Sequence, residues 1–242
     1  MGVSAAGATC LASYGHESAG LELAMYYIDL LVETKKALDP EIRSTLNMID
    51  DAFSKSSTTR TTFLKGILSW DRSCGQRTLG DPNYHARLAY NIWELGNRFD
   101  SLHHFAAGEA PGQLAQLLEA FSNSPDGKDN EKEQAQLLCL GVLHFLALEN
   151  MRDANDFFTR FKKASSKLVD EDLVKFSSFL LQTCRRDAGE LFKQLCNSYG
   201  SALNFHDSVE PLLKGPIGGT YFGLREAPNM MSMLQGMLGG KL

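Results

Sequence analysis

The chain has 242 residues, a net charge of −5, 43% hydrophobic and 22% charged residues. Those proportions exclude a disordered segment and a fibre, and they leave enough apolar surface for a sizeable core. The negative charge argues against sequence-independent binding to nucleic acid or to an anionic membrane, because Lys and Arg are scattered in pairs at most (Lys35-Lys36, Lys162-Lys163, Arg185-Arg186).

In chain order, Ala5 to Tyr14 reads as the end of a helix, closed by Gly15, and Ser18 to Thr34 as the next helix, with Leu23, Tyr26, Tyr27, Leu30 and Leu31 on one broad face. Asp39-Pro40-Glu41 supplies a cap, a first-turn proline and an acid for the helix dipole, and Asp81-Pro82 repeats the signal. Between them, Thr61 to Cys74 carries Phe63, Ile67 and Trp70, which predicts a buried Trp70. Tyr84 to Phe105 reads as a helical hairpin bent at Leu95-Gly96-Asn97, where Gly96 and Asn97 are the residue types best able to turn left-handed. The joint recurs: Leu148 to Ala154 aligns with Leu95 to Ser101 at a constant offset of 53 (148 − 95), and Phe158 matches Phe105. A repeat of helix pairs is the mark of an α-solenoid.

Pro111 to Phe121 predicts the next helix, and the polar stretch Ser122 to Glu133 an exposed loop acting as a hinge. Leu137 to Leu148 is apolar all round and too short to span a bilayer, so it predicts a buried central helix. Ala154 to Phe161, Leu173 to Cys184 and Leu191 to Leu213 follow, the last weakened at Gly200 and Pro211. Gly215-Pro216-Ile217-Gly218-Gly219 should not continue a helix, and Tyr221 and Phe222 beyond it look exposed. No stretch has the period of a strand. The expected architecture is therefore all-α, a single curved domain of antiparallel, tetratricopeptide-like hairpins: an N-terminal half (1–123), a C-terminal half (124–213) and a Gly-rich turn with a Met-rich tail (214–242).

Chemistry is hard to find. No two of the six histidines stand four apart, and the adjacent His103 and His104 should point to different helix faces, so no metal is expected. Gly215 to Gly223 lacks the strand and the Gly-Lys-Ser/Thr of a phosphate loop. Five cysteines without a C-x-x-C pair, mostly in apolar stretches, predict free thiols in a reducing compartment. The start lacks the marks of a signal or transit peptide, and Ala6 breaks a myristoylation motif, so the cytosol is the expected location. No enzymatic activity and no cofactor are implied.

Several stretches in fixed order resemble the Golgi-to-ER traffic protein four family, a subunit of the tail-anchored membrane-protein insertion pathway. They are Ser18 to Ala24, Arg60 with Phe63-Leu64 and Ser69-Trp70, Gly80-Asp81-Pro82 with His85, Leu95-Gly96-Asn97 with His104-Phe105, Asn150 with Arg152-Asp153-Ala154, and Tyr221 to Leu224 with Ala227-Pro228 and Gly239-Gly240. The resemblance implies a non-enzymatic scaffold that links a ubiquitin-like adaptor, held by the C-terminal half, to a targeting ATPase docked on the N-terminal half. Carried onto this chain, the adaptor surface falls on Phe176, Phe179, Phe192, Leu195, Tyr199, Tyr221, Phe222, Met230, Met233 and Leu234, and the ATPase surface on Glu22, Asp29 and Glu33. Family members carry a further pair or two of helices ahead of the point matched by this start, and Ala5, Ala6, Ala8, Leu11 and Ala12 open the chain almost without charge. Weakened ATPase docking is the expectation. Met230, Met233, Leu234, Met237 and Leu238 form one apolar helical stripe. Burying five such side chains yields roughly 7–15 kcal/mol, less than the roughly 13–26 kcal/mol of backbone entropy in about thirteen residues. The tail therefore needs further contacts, and a partner would supply them. A generic helical-repeat peptide-binding cochaperone is the competing reading.

Overall fold

The structure, a computed structural model, describes residues 2–74, 77–127, 130–164 and 171–224. Among these residues every regular element is helical and none is a strand. Met230, Met233, Leu234, Met237 and Leu238 lie outside the described residues. Contacts divide the chain into two compact units between Leu114 and Ala115, inside a helix that runs Pro111–Asn123.

The first unit contains α1 (Gly2–Ser13), α2 (Glu17–Glu33), α3 (Pro40–Ala52), α4 (Thr58–Cys74), α5 (Pro82–Glu94) and α6 (Arg98–Ala107). Helix α1 packs on α2 and α3, α2 on α4, α4 on α5 and α5 on α6. The α1–α2 contact is close because its seam is built from small residues: a Cβ at Gly20 would sit 3.0 Å from the Ala12 nitrogen, and Ala5, Ala8, Ala12 and Ala24 are buried there. Leu31, Leu46, Ile49, Phe63, Leu64, Ile67 and Trp70 fill the core, with the Phe53 and Phe63 rings 5.6 Å apart. Burial of Trp70 follows the spacing of its helix.

Polar groups fix how α3, α4 and α5 align. Asp50 on α3 is fully buried and takes two 2.7 Å bonds from Arg60 on α4, through Nε and Nη2. Arg87 on α5 reaches the same carboxylate and, at 2.9 Å, the neighbouring Asp51. Arg43 grips Asp81 through both terminal nitrogens (3.2 and 2.8 Å), while Asp81 Oδ1 accepts from the Asn83 N–H and so caps α5. Asn91 donates to the Ser57 carbonyl and to the Thr61 hydroxyl, holding α5 to the start of α4.

The second unit contains α8 (Glu131–Ala147), α9 (Met151–Ala164), α10 (Asp172–Arg185), α11 (Gly189–Ser198), α12 (Gly200–Leu203), α13 (Val209–Leu212), a π-turn (Leu213–Ile217) and α14 (Gly218–Phe222); α7 is the boundary helix Pro111–Asn123. Helix α8 is the axis of this unit: it packs on α9, α10, α13 and the π-turn, and its residues from Leu137 to Val142 are nearly all without exposed surface, as an apolar circumference requires. The polar stretch before it holds a shorter loop than its composition suggests, since α7 continues to Asn123. Gly127 is buried there, because a Cβ would fall 2.0 Å from the Phe121 carbonyl oxygen, and Gln134 donates to the Gly127 carbonyl.

Two expectations fail here. Leu191 to Leu213 is not one helix but three short ones. Gly215 to Gly219, expected to break the helix, instead runs through the π-turn into α14, with Pro216 inside the turn. The wider i→i+5 spacing moves the carbonyl that the proline ring would otherwise strike, so the chain absorbs Pro216 without leaving the helical path.

The helix joints share one chemistry. After α5, the Gly96 N–H bonds to the Trp93 carbonyl and the Asn97 N–H to the Ile92 carbonyl, with Gly96 at φ +87°. This is a Schellman closure, in which only the first residue beyond the helix turns left-handed. Asn97, at φ −85°, is thus the start of α6 and not part of the left-handed turn. The same two bonds close α1 at Gly15, α2 at Lys35, α6 at Glu109, α8 at Glu149 and α10 at Asp187, each at positive φ.

Trp70→Ala should cost about 3–5 kcal/mol of unfolding free energy by urea titration, as for other buried large-to-small changes. Trp70→Phe should cost less, because the indole N–H is buried without a hydrogen-bond partner. Asp50→Ala should cost about 3–5 kcal/mol, since it leaves Arg60 charged and enclosed; in the Asp50→Leu/Arg60→Met double variant most of that loss should be recovered.

Candidate partner-binding surface

In the second unit, α11 and the short elements after it enclose a depression of about 610 Å³. Its apolar wall is Phe192, Cys196, Leu203, Val209, Leu213 and Leu224. Charged side chains stand at the rim: Lys193 pairs with Glu190 at 2.8 Å, and Lys214 pairs with Glu210. An apolar floor with a paired, solvated rim is the usual anatomy of a protein–protein contact. The local fold explains the shape. Gly200 and the breaks on either side of α12 turn the chain repeatedly within a few residues, so it folds over the groove instead of continuing α11.

The aromatic residues expected at the adaptor surface separate into three groups. Phe192 and Phe222 stack, with centroids 4.3 Å apart and planes 20° off parallel, and Tyr221 lies beside Phe222 at 6.4 Å. Tyr221 and Phe222 are half-buried rather than exposed, because α14 folds back on the start of α11. Phe176 is fully buried with Tyr199 tilted over it at 5.8 Å, so Phe176 belongs to the core and supports the surface from below. Phe179, three residues on, is 48% exposed on α10. Leu195 is 9% exposed on α11. Met230, Met233 and Leu234 lie outside the described residues. The groove residues Cys196, Leu203 and Leu213, together with exposed Leu191, were not singled out in the sequence; the Val209–Leu213 spacing was the available signal.

The Tyr221 hydroxyl is buried and has no hydrogen-bond partner. Burial first, then the Cys184 and Glu149 charges, push its phenol up to about 12. In the first unit, Glu22, Asp29 and Glu33 are all exposed on α2, at i, i+7 and i+11, and Tyr26, expected on the apolar face with Tyr27 and Leu31, instead lies between them, 55% exposed. None of the three acids forms an ion pair among the described residues, so this face presents an acidic stripe with an aromatic centre.

Among the described residues no group of three or more His, Cys, Asp or Glu side chains is gathered to hold a metal ion. No helix among them is long and apolar enough to cross a membrane.

Antiparallel helix pairs with an apolar groove and an acidic helix face define the class: an all-helical repeat protein that presents surfaces. The chain belongs to the Golgi to ER traffic protein 4 family, whose profile matches residues 3–241. It is 26% identical to Protein GET4 of Arabidopsis thaliana, over 96% of this chain and 80% of that protein. To Golgi to ER traffic protein 4 homolog B of Xenopus laevis it is 25% identical, over 98% of this chain and 72% of that protein. The crystal structure of C. therm. Get4 has the same fold, with a TM-score of 0.76 at 22% identity over 99% of this chain and 82% of that one. Membership supports a role in the GET pathway of Golgi-to-ER traffic.

Tyr221→Phe should raise unfolding free energy by about 1 kcal/mol, because it removes a buried hydroxyl that makes no bond. Chemical denaturation of the two proteins in parallel checks it.

Proposed function

We propose that this chain is a non-enzymatic, cytosolic scaffold that links a ubiquitin-like adaptor to the targeting ATPase that delivers tail-anchored membrane proteins to the ER. The observation that carries the reading is the groove of the second unit, with its stacked Phe192–Phe222 pair and paired charges at the rim. A partner helix or strand laid in that groove would meet Phe192, which stacks on Phe222, with Leu195, Tyr199 and exposed Phe179 proposed as contacts beside the groove. Aromatic anchors of this kind dominate interface energies. The second contact is electrostatic. Glu22, Asp29 and Glu33 offer an unpaired acidic face to a basic patch on the ATPase, which makes that association sensitive to salt.

Pull-down and titration calorimetry with both purified partners test the two surfaces separately. Deleting Ala227 to Leu242, or replacing Phe179 by Asp, should weaken adaptor binding by about tenfold or more while leaving the ATPase contact intact. Converting Glu22, Asp29 and Glu33 together to Lys should abolish salt-sensitive ATPase binding and spare the adaptor. Unchanged adaptor affinity after both changes in the second unit, or capture of chaperone C-terminal peptides in place of the adaptor, would overturn the reading.

A further inference from the structure

Three histidines converge in the first unit, contrary to the expectation that His103 and His104 point apart. The His103 and His104 rings on α6 are 5.2 Å apart, and His85 on α5 lies 5.1 Å from His104 and edge-on to His103 at 6.4 Å. Hydrogen-bond logic fixes most of the protons. His85 Nε2 is 2.8 Å from the Leu79 carbonyl, which only accepts, so Nε2 carries the proton and Nδ1 keeps a lone pair. His104 Nδ1, 2.9 Å from that lone pair, must donate to it. The chain of bonds therefore ends at His104 Nε2, which is a bare acceptor when the ring is neutral. Burial, followed by the repulsion a charged ring would meet from protonated His103 or His85 and from Lys65 and Arg72, holds the His104 imidazole down to about 3, so it is neutral near pH 7.

Lys65, Ser69 and Arg72 stand over the histidines at i, i+4 and i+7 on α4, and together these six residues line a cavity of about 410 Å³. Buried Leu68 and Leu88 close its floor. Among the described residues no carboxylate lines it. Asp81, the N-cap of α5, is taken up by Arg43 and by the Asn83 N–H of its own helix. Arg72 gives its Nε to the Leu68 carbonyl, and neither Arg72 nor Lys65 forms an ion pair among the described residues. In a chain of net charge −5, this recess concentrates two fixed positive charges without a counterion.

We propose that this cavity is a binding site for a phosphate-class oxyanion, taken up as the hydrogen phosphate form. Its unprotonated oxygens accept from Arg72, Lys65 and the Ser69 hydroxyl, and charge-assisted bonds of this kind are among the strongest available to a protein. Its single P–OH donates to the His104 Nε2 lone pair. Sulfate has the same size and charge but no proton to give, and would set an oxygen against that lone pair. The volume suits a small molecule or a single headgroup, not a helix. The site is independent of the partner surfaces of the two-partner reading.

Titration calorimetry of the full chain with inorganic phosphate and with sulfate, at matched ionic strength near pH 7, tests it. One saturable phosphate site is expected, with sulfate at least about tenfold weaker. Arg72→Ala and Lys65→Ala, both exposed positions, should each weaken phosphate about tenfold or more while leaving the unliganded melting temperature in place. His104→Phe should abolish the preference for phosphate. A second arm uses phosphatidylcholine vesicles with and without phosphatidylinositol phosphate. Sedimentation with the phosphorylated vesicles, lost in Arg72→Ala, assigns the phosphate to a lipid headgroup; phosphate binding without sedimentation assigns it to a free molecule. No saturable phosphate binding, equal affinity for sulfate, or affinity unchanged in both the Arg72 and Lys65 variants would overturn the proposal.

Discussion

The first unit depends on one buried carboxylate. Asp50 reaches Arg60 on α4 and Arg87 on α5 from its place on α3, so three helices that are separate in sequence share a single charge centre. Enclosing such a cluster is costly, and apolar side chains of the same shape would hold the helices together at least as well. What the ions add is alignment. Apolar ridges tolerate sliding by a turn, whereas a two-pronged guanidinium–carboxylate contact fits one register. The placement of α4 over the histidines of α5 and α6 inherits that register.

Local rules were the most legible in the chain. Asp39-Pro40 and Asp81-Pro82 start helices where their side chains reach the first free N–H groups, and Gly96 turns left-handed. Such features need only neighbours in sequence. Gly215 to Gly219 shows where that logic ends: by composition it breaks a helix, yet packing against α8 selects a π-turn that accommodates Pro216. The fate of Leu191 to Leu213 is likewise decided by where the chain must fold over the groove, and nothing in its period reports that. Part of the family resemblance was legible because Gly80-Asp81-Pro82, Leu95-Gly96-Asn97 and Asn150 with Asp153 sit at caps and joints, where spacing is rigid.

The surfaces were less legible, for a reason that Phe176 and Phe179 illustrate. Both belong to the apolar side of α10, but three residues turn the helix far enough to put one in the core and the other in water. Periodicity finds the stripe without saying which edge of it faces out. The histidine cluster was hidden differently. His85 lies 11 residues before Gly96 and His104 lies 8 after it, positions that an antiparallel hairpin brings side by side. Counting outward from the joint, instead of along one helix for an i, i+4 pair, would have placed them together.

Six helices end in the same closure, but only Gly15 and Gly96 occupy its left-handed position without strain. Lys35, Glu109, Glu149 and Asp187 hold side chains in a backbone conformation that costs roughly 1–2 kcal/mol each. Their combined burden, roughly 4–8 kcal/mol, is of the same order as the whole net stability of an ordinary domain. The fold therefore carries unused thermodynamic headroom, distributed over its hairpin tips and not in its core. Each tip is a place outside the core where one residue can make the protein more rigid or leave it softer.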